Sequence, residues 1–551
     1  MLLGAAAELI SIGALLPFLA LIGDPAAASS GPLSPLVEVL NLTEPSELIL
    51  CAAIAFSLAA MIAGGLRLLL VWVSQRFVFG IAHELSTAAY ARVLQQDYAW
   101  HSVHNSAETL AAINKAQMVT AGLLVPLMQA ASASVIALFI LVGLLVVDPV
   151  VALSAGAGFG AVYLAVMQLT RRKMRDNGSI IARSQRERVQ VASEGLGGIR
   201  DILLDRSQPI FITRFDKVEE ALRQAQATNA FLSTAPRFVV EALGMVMIAG
   251  LALLLSSRPN GLVGALPVLG ALALGAQRIL PLLQQVYFGW TAYLSAGQLL
   301  RDLLGILRLP RLEDGVATEP IPFAREIRLQ HTSYTYPGAL EPVVKDLNLV
   351  IQKGSRIGVV GRTGSGKSTL VDLIMGLLTP QKGEILIDGV PLTNSNQLAW
   401  QAHIAHVPQA IFLTDGSVAE NIAFGVPCDE IEMTRVQQAA AKAAIADFID
   451  TLPRGYDTLV GERGIRLSGG QRQRIGIARA LYKQADVLVF DEATSALDGE
   501  TERQVMLSID ALDRNLTVII IAHRLSTVQD CDQTITLSRA SAEPESAESN
   551  G

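Results

Sequence analysis

Six runs of about twenty apolar residues, at 2 to 23, 48 to 73, 121 to 147, 150 to 170, 236 to 257 and 262 to 288, constrain this chain more than any other feature. A run of that length crosses the hydrocarbon core of a bilayer as a helix. In lipid a helix is one of only two structures that satisfy every backbone N–H and C=O internally. Composition agrees, since 17% of the 551 residues are charged against about 25% in an ordinary soluble domain. The apolar excess ends near Leu300, and beyond Arg325 charge and turn residues recur at normal density. The chain therefore reads as an α-helical transmembrane bundle of six helices over 1–310, a linker over 311–326, a soluble α/β domain over 327–538, and an acidic tail, 539–551, expected to be disordered.

Only Asp148 and Pro149 separate the third and fourth runs, which predicts a helical hairpin with almost no external loop. Orientation follows from the basic residues, which favour the cytoplasmic side. Twelve lie between Arg171 and Arg223, whereas the opposite loops (24–47, 148–149 and 258–261) hold only Arg258. Both ends of the six-helix unit then face the cytoplasm. The polar stretches 74–120 and 171–235 are predicted to be helices that overshoot the bilayer and turn round short transverse helices near Asp97–Val103 and Leu203–Phe211. The first run lacks a basic leader and is interrupted by Glu8, so it reads as a spanning helix rather than a signal peptide. No Lys or Arg precedes Arg67, and the start of the chain is expected to be truncated or misassigned.

A net charge of −7 excludes a basic chain built to hold nucleic acid. Cys51, Cys428 and Cys531 are far apart, which supports neither a disulfide framework nor a zinc site. Arg67, Arg237 and Arg278 sit in apolar surroundings. An arginine at the bilayer centre costs about 2.5 to 3.5 kcal/mol on insertion scales, so it faces a wet cavity or a partner. An anionic cargo is one reading; snorkelling to the cytoplasmic interface, or pairing with Glu8 and Glu241, is the other.

From Ile327 the apolar period shortens to that of strands. After the strand ending at Val360 come Gly361, Gly364, Ser365, Gly366, Lys367, Ser368 and Thr369, then the helical run "LVDLIMGLL". Strand, glycine loop and helix in that order form the context of a P-loop: glycines let backbone N–H groups reach phosphate oxygens, Lys367 reaches the β and γ groups, and Ser368 ligates Mg2+. Downstream, "ADVLVFDEATSALD" is an apolar strand ending in Asp491, placed to hold magnesium, and Glu492, placed to act as general base on the attacking water. "VIIIAHRLS" delivers His523 to the same sheet edge, within reach of a γ-phosphate. A second anion-binding turn, Ser468, Gly469, Gly470 and Gln471 in "LSGGQRQR", is superfluous in one chain with one P-loop. It makes sense if two copies pair head to tail and each closes its serine loop over the other's nucleotide.

"LSGGQ", "GRTGSGKST" and "LVFDEATSALD", in this arrangement over 327–538, resemble the ATP-binding cassette (ABC) family. The resemblance implies ATP and Mg2+ as cofactors. It implies that Tyr336 stacks on adenine, that Gln409 touches magnesium or water, that Glu462 contacts the transverse helices, and that Asp498 lies in a dimer-contact loop. Six membrane helices before one cassette resemble exporter half-transporters, and "AELISIGALLPFLALIGDP", "APRFVVEALG" and "QRILPLLQQVY" are similar to bacterial lipid-linked oligosaccharide flippases. That likeness implies that Arg67, Arg237 and Arg278 line a cavity for a lipid pyrophosphate and that Ser34–Leu42 is an external helix beside the lipid tail. The expectation is a homodimeric, multi-pass ATP hydrolase of the bacterial inner membrane, its ATPase domain cytoplasmic, moving an anionic lipid-linked cargo. Export of another lipid, a drug or a peptide is the alternative within the class, and an ATPase-gated channel or regulatory membrane ATPase is the alternative outside it.

Overall fold

The computed structural model describes residues 2, 4–6, 45–104, 114–147, 149–256, 261–310, 321–461, 464–492, 503, 507, 515–522, 528–538 and 541–545. Most of the first predicted span, with Glu8, and the external segment 34–42 lie outside the described residues. The chain divides into two compact units, Met1–Gln96 with His104–Leu312, and Asp97–Val103 with Glu313–Gly551.

The first unit is built from α1 (Pro45–Leu94), α3 (Val125–Val147), α4 (Pro149–Gly197), α6 (Gln208–Ser256) and α7 (Gly261–Leu307), with the short α5 (Ile199–Leu204) between α4 and α6; the short α2 (Tyr98–Val103), which follows α1 in sequence, belongs to the second unit. Four of the long helices have 47 to 50 residues. At 1.5 Å per residue that is roughly 70 Å, more than twice the thickness of a hydrocarbon core of about 30 Å, so they overshoot it as expected. Among the described residues, Ile49–Leu94 and Asn114–Val142 are long and apolar enough to cross a membrane. α1 exposes Leu50, Ile54, Leu58, Met61, Leu68 and Leu69, a surface that only lipid or further protein can cover favourably.

One expectation is corrected. The second short helix is Ile199–Leu204 rather than a segment around Leu203–Phe211, and α6 has already begun at Gln208. Gly197 and Gly198 end α4, and Gly198 leaves helical geometry at φ −95°, ψ 20°. Pro209 then falls in the first turn of α6, where a missing N–H costs nothing.

Two departures from regular helix shape this unit. Thr120–Leu124 is a π turn leading into α3, closed by Val125 N–H donating to the Thr120 carbonyl. The second is Pro236 inside α6, which cannot donate to the carbonyl of Leu232. Tyr287 of α7 takes over that role, its hydroxyl donating to Leu232 O at 2.9 Å. Beside it, Gln284 donates to Ser233 O at 2.8 Å and accepts from the Tyr163 hydroxyl at 3.2 Å. Asn177 to Asn229 and Asn229 to Ser295 continue the ladder between α4, α6 and α7. Close approach of α7 to α3 needs Gly289, where a Cβ would run into Ala130 and the Pro126 carbonyl.

The second unit contains two sheets. β1 (Glu326–Tyr334), β2 (Val344–Gln352), β4 (Lys382–Ile387) and β5 (Val390–Pro391) form an antiparallel sheet in the order β2-β1-β4-β5. β3 (Arg356–Gly361), β6 (Ile404–Val407), β7 (Val487–Asp491), β8 (Thr517–Ile521), β9 (Gln533–Ser538) and β10 (Ser541–Glu545) form the other, ordered β10-β9-β3-β8-β7-β6 and parallel except for β10. Part of the tail expected to be disordered is therefore an edge strand: Ser541–Glu545 pairs with β9, whose free edge offers main-chain hydrogen bonds that a composition argument does not register. Between the sheets α8 (Lys367–Ile374) packs into one apolar core with Trp400, Ile357, Val359 and Leu329. The opposite face of the parallel sheet is covered by α9 (Val418–Ile422), α10 (Met433–Lys442) and α11 (Gly469–Lys483). The entry strand is fastened early. Ile321 and Phe323 are buried, His403 holds the Ile321 carbonyl at 2.9 Å, Lys353 holds that of Phe323 at 2.7 Å, and the Asp388 carboxylate accepts from the backbone of Arg325 and Glu326 at 2.8 Å each.

Removing the hydroxyl that caps the proline break has a definite expected cost. Tyr287→Phe leaves the part-buried Leu232 carbonyl without this donor, worth up to about 1 to 3 kcal/mol. The thermal midpoint of the purified protein should fall by a few degrees, measured by intrinsic fluorescence against Phe288→Leu on the exposed side of the same helix.

Candidate functional site

The parallel sheet brings the chemistry-bearing residues to one edge, since β3, β6, β7 and β8 all point their C-terminal ends the same way. β3 ends at Gly361 and opens into the P-loop; α8 follows. Gly364 and Gly366 have φ of 79° and 94°, a region open to glycine at no steric cost. A Cβ at Gly366 would stand 3.0 Å from the Val343 carbonyl. These constraints turn the loop's N–H groups and the first turn of α8 outward as an anion cradle.

Lys367 is almost wholly buried, and its ammonium lies across the loop, donating to Gly361 O at 2.8 Å and Arg362 O at 3.3 Å. Ser365 Oγ is buried with no hydrogen-bond partner among the described residues. Ser368 is exposed at the mouth and Thr369 is buried beneath it. The Thr369 hydroxyl lies 3.2 Å from that of Tyr336, whose ring sits edge-on to Tyr334 at 5.1 Å. Tyr336 is thus held beside the cradle.

β7 delivers Asp491 and, just past its end, Glu492, whose N–H continues the ladder to Ile521 O at 3.1 Å. Glu492 has φ of 51°, a left-handed conformation that a non-glycine residue adopts at a cost, and its carboxylate accepts from the Gln409 amide at 2.7 Å. Gln409 arrives from the end of β6, so the structure brings together two residues 83 positions apart. His523, Asp498 and Glu462 lie outside the described residues.

Two groups here are invisible to motif reading. Asp372, on α8, has its carboxyl pushed up from the usual 3.8 to about 6, first by burial and then by the charge of Asp491. Tyr98, on α2 and part of this same unit, is raised by burial and then by Asp372, Tyr336 and Asp491, which places its phenol close to the cradle. A buried excess of carboxylate beside a phosphate cradle suits a divalent cation. Among the described residues there is no cluster of three metal-ligating side chains.

"LSGGQ" opens a different helix, α11. Ser468 is its N-cap and forms a full capping box: Ser468 Oγ accepts from Gln471 N–H at 3.2 Å, and Ser468 N–H donates to Gln471 Oε1 at 2.8 Å. Leu467 is buried and its carbonyl accepts from Arg472 at 2.9 Å, so the loop is anchored from behind while Gly469 and Gly470 carry no side chain in front. No hydrogen bond or ion pair among the described residues joins this loop to the P-loop.

In the first unit Arg67 and Arg278 line one cavity of about 460 Å³. Three helices each give it a single face, at positions 67, 70, 71, 74, 75 and 78 of α1, at 125, 128, 129, 132, 133 and 136 of α3, and at 277, 278, 281, 282 and 285 of α7. No Asp or Glu is among them. Arg237 does not line this cavity; it is paired with Glu241 at 2.7 Å on an exposed stretch of α6.

The ABC transporter transmembrane region family matches residues 14–260 and the ABC transporter family matches 344–495. The chain is 34% identical over 389 residues to an "ATP-dependent lipid A-core flippase" of Alkalilimnicola ehrlichii, covering 69% of this chain and 64% of that protein. It is 31% identical over 418 residues to one of Yersinia pestis bv. Antiqua, covering 74% and 69%. The first relatives are thus matched over less than two thirds of their own length, 64%, 39% and 59%. Among solved structures, a bacterial Atm1-family ABC exporter with ATP bound superposes with a TM-score of 0.76 at 25% identity, over 97% of this chain and 94% of that one.

The raised Asp372 predicts a sign for the pH dependence of the ligand-free protein. Its ionised form is disfavoured in the folded state, so stability falls as pH rises from about 4 through 6, by at most about 3 kcal/mol. In EDTA without nucleotide, Asp372→Asn should raise the thermal midpoint at pH 8, and the gain should shrink steadily as pH is lowered from 6 towards 4.

Proposed function

Because this chain belongs to the ABC transporter family, with a transmembrane region and an ATPase domain in one polypeptide, we propose that it is an ATP-hydrolysing exporter that works as a homodimer. The cargo we propose is an anionic lipid-linked glycan, a polyprenyl-pyrophosphate-linked oligosaccharide or a related glycolipid, moved from the inner to the outer leaflet of a bacterial inner membrane.

In the ATPase unit the P-loop N–H groups and Lys367 hold the β and γ phosphates, Ser368 and Asp491 hold Mg2+, and Tyr336 stacks on adenine. Glu492 accepts the proton of the attacking water, and the amide of Gln409 fixes the orientation of its carboxylate. Ser468, Gly469, Gly470 and Gln471 of a second copy close the site over the γ-phosphate, with Asp498 and His523 in supporting roles. The rigid capping box favours that assignment, because a preformed donor surface loses little freedom on closing.

For the cargo, the carrying observation is the convergence of Arg67 and Arg278 on one cavity. All three lining faces fall in the cytoplasmic half of their spans if the basic-residue orientation holds, which puts the cavity level with the inner leaflet. The names of the relatives point to a lipid-linked glycan as well.

Reconstitution in liposomes tests both parts. Glu492→Gln should bind ATP and lose at least about a hundredfold in hydrolysis, and Arg278→Ala should raise the lipid concentration that half-stimulates hydrolysis by about tenfold or more. Full hydrolysis by Glu492→Gln would remove the assigned base. An ATPase rate indifferent to every anionic glycolipid, in a protein that conducts ions, would replace transport by gating.

A further inference from the structure

Gln409 sits on a stretch that has no regular structure to hold it. β6 ends at Val407 and residues 411–414 form neither helix nor strand, yet the Gln409 amide is held against the Glu492 carboxylate at 2.7 Å. Backbone groups in such a stretch must find partners outside a ladder, and those partners decide where the amide points.

The contacts lead to one helix, α11, the helix that Ser468 caps. Ile411 lies over Gly476, where a Cβ would come within 2.5 Å of its side chain, so the stretch rests on bare helix backbone. Leu413 is buried in the same core as Leu467, Ile475 and Ala478. Thr414 is held by Asn421 of α9, a residue with no exposed surface. One side-chain amide meets both main-chain groups of Thr414. Asn421 Oδ1 accepts from Thr414 N–H at 2.9 Å, while Asn421 Nδ2 donates to Thr414 O at 3.1 Å and to Ser417 O at 3.0 Å. From the other side Arg479 of α11 donates to Asn421 O at 2.9 Å and to Asn421 Oδ1 at 3.4 Å, with its guanidinium 4.5 Å from the centre of the Phe424 ring. Burial pushes Arg479 down to about 10, which leaves it charged at neutral pH, so these are charge-assisted hydrogen bonds. Gly476 and Arg479 are three residues apart and share a face of α11.

We propose that Asn421 is a positioning residue for hydrolysis: by tying Thr414 to Arg479 it makes residues 409–414 one rigid piece with α11, and so sets where the Gln409 amide meets Glu492. This rests on the roles of Gln409 and Glu492 proposed above and extends them to a residue whose side chain bonds to Thr414, Ser417 and Arg479. The helix that presents Ser468 is then also the one that aims Gln409. A displacement of about 1 Å in a group that orients the chemistry is worth up to about a hundredfold in rate. Nucleotide binding should be spared, because α8 behind the P-loop packs with Ile357 and Val359 in the other core.

The test is a double-mutant cycle on the full chain in proteoliposomes, with ATP hydrolysis measured at saturating Mg2+ and rates expressed per ATP-binding site. Asn421→Ala should lower kcat by about tenfold or more and leave KM for ATP within about twofold of wild type. Combined with Gln409→Ala, it should take kcat no more than about twofold below Gln409→Ala alone, because both changes act through one contact. A purely structural loss would instead multiply with that of Gln409→Ala. Multiplying losses, a KM that rises in step with the fall in kcat, or wild-type turnover by Asn421→Ala overturns the proposal and leaves the role of Gln409 standing. If Asn421→Ala does not fold, Arg479→Lys goes through the same cycle, since an ammonium keeps the charge but lacks the fork that spans Asn421 O and Oδ1. It should lower kcat by about threefold or more and add nothing to Gln409→Ala; a wild-type rate or a multiplying loss overturns the proposal. Gln409→Ala at wild-type speed is a separate outcome, which removes Gln409 from the base and overturns that role and this proposal together.

Discussion

A polar group taken out of water must find a partner, and this requirement orders both units of the chain. In the membrane unit the backbone solves it by running as uninterrupted helix, and where Pro236 breaks the pattern a tyrosine from the neighbouring helix takes up the abandoned carbonyl. In the ATPase unit the same requirement appears as the capping box of Ser468 and Gln471 and as the Asp388 carboxylate receiving the entry strand. One departure lies where a ligand is expected: the buried hydroxyl of Ser365 in the P-loop has no partner among the described residues.

Much of this was legible in the sequence, and for physical reasons. Twenty-residue apolar runs admit one solution in lipid, so the long helices, with one ending at Val147 and the next beginning at Pro149, could be read directly. The P-loop and the strand ending in Asp491 and Glu492 are local patterns in which neighbours in sequence share a site. What escaped reading depends on distance along the chain. Asp372 looks like an ordinary polar residue in an apolar helix until Asp491 is found beside it. The hydrogen bond of Gln409 to Glu492 spans 83 positions, and Tyr98 comes from the membrane half of the sequence into the ATPase unit. Arg237 resembled Arg67 and Arg278 in its apolar setting; its pairing with Glu241, four residues on, was one of two readings open in the sequence, and the fold selects it while bringing the other two arginines to one cavity.

The arginine-lined cavity shows why its wall was hard to read. Its lining positions recur at spacings of three and four on α1, α3 and α7, so each helix turns one stripe to it, but most of these residues are apolar and the charged ones stand singly, Arg67 on α1 and Arg278 on α7.

The π turn at Thr120–Leu124 bears on how such a stripe is aimed. A π turn is a helix with one residue too many, and everything after it is rotated by about 100° relative to an unbroken α-helix. The wall that α3 presents to the cavity, from Val125 to Ile136, follows immediately. A single codon gained or lost at this point would therefore swing the entire wall as a block, with no side chain in it altered. That gives evolution a coarse dial for changing what the chamber admits, separate from the fine adjustment of exchanging one wall residue for another.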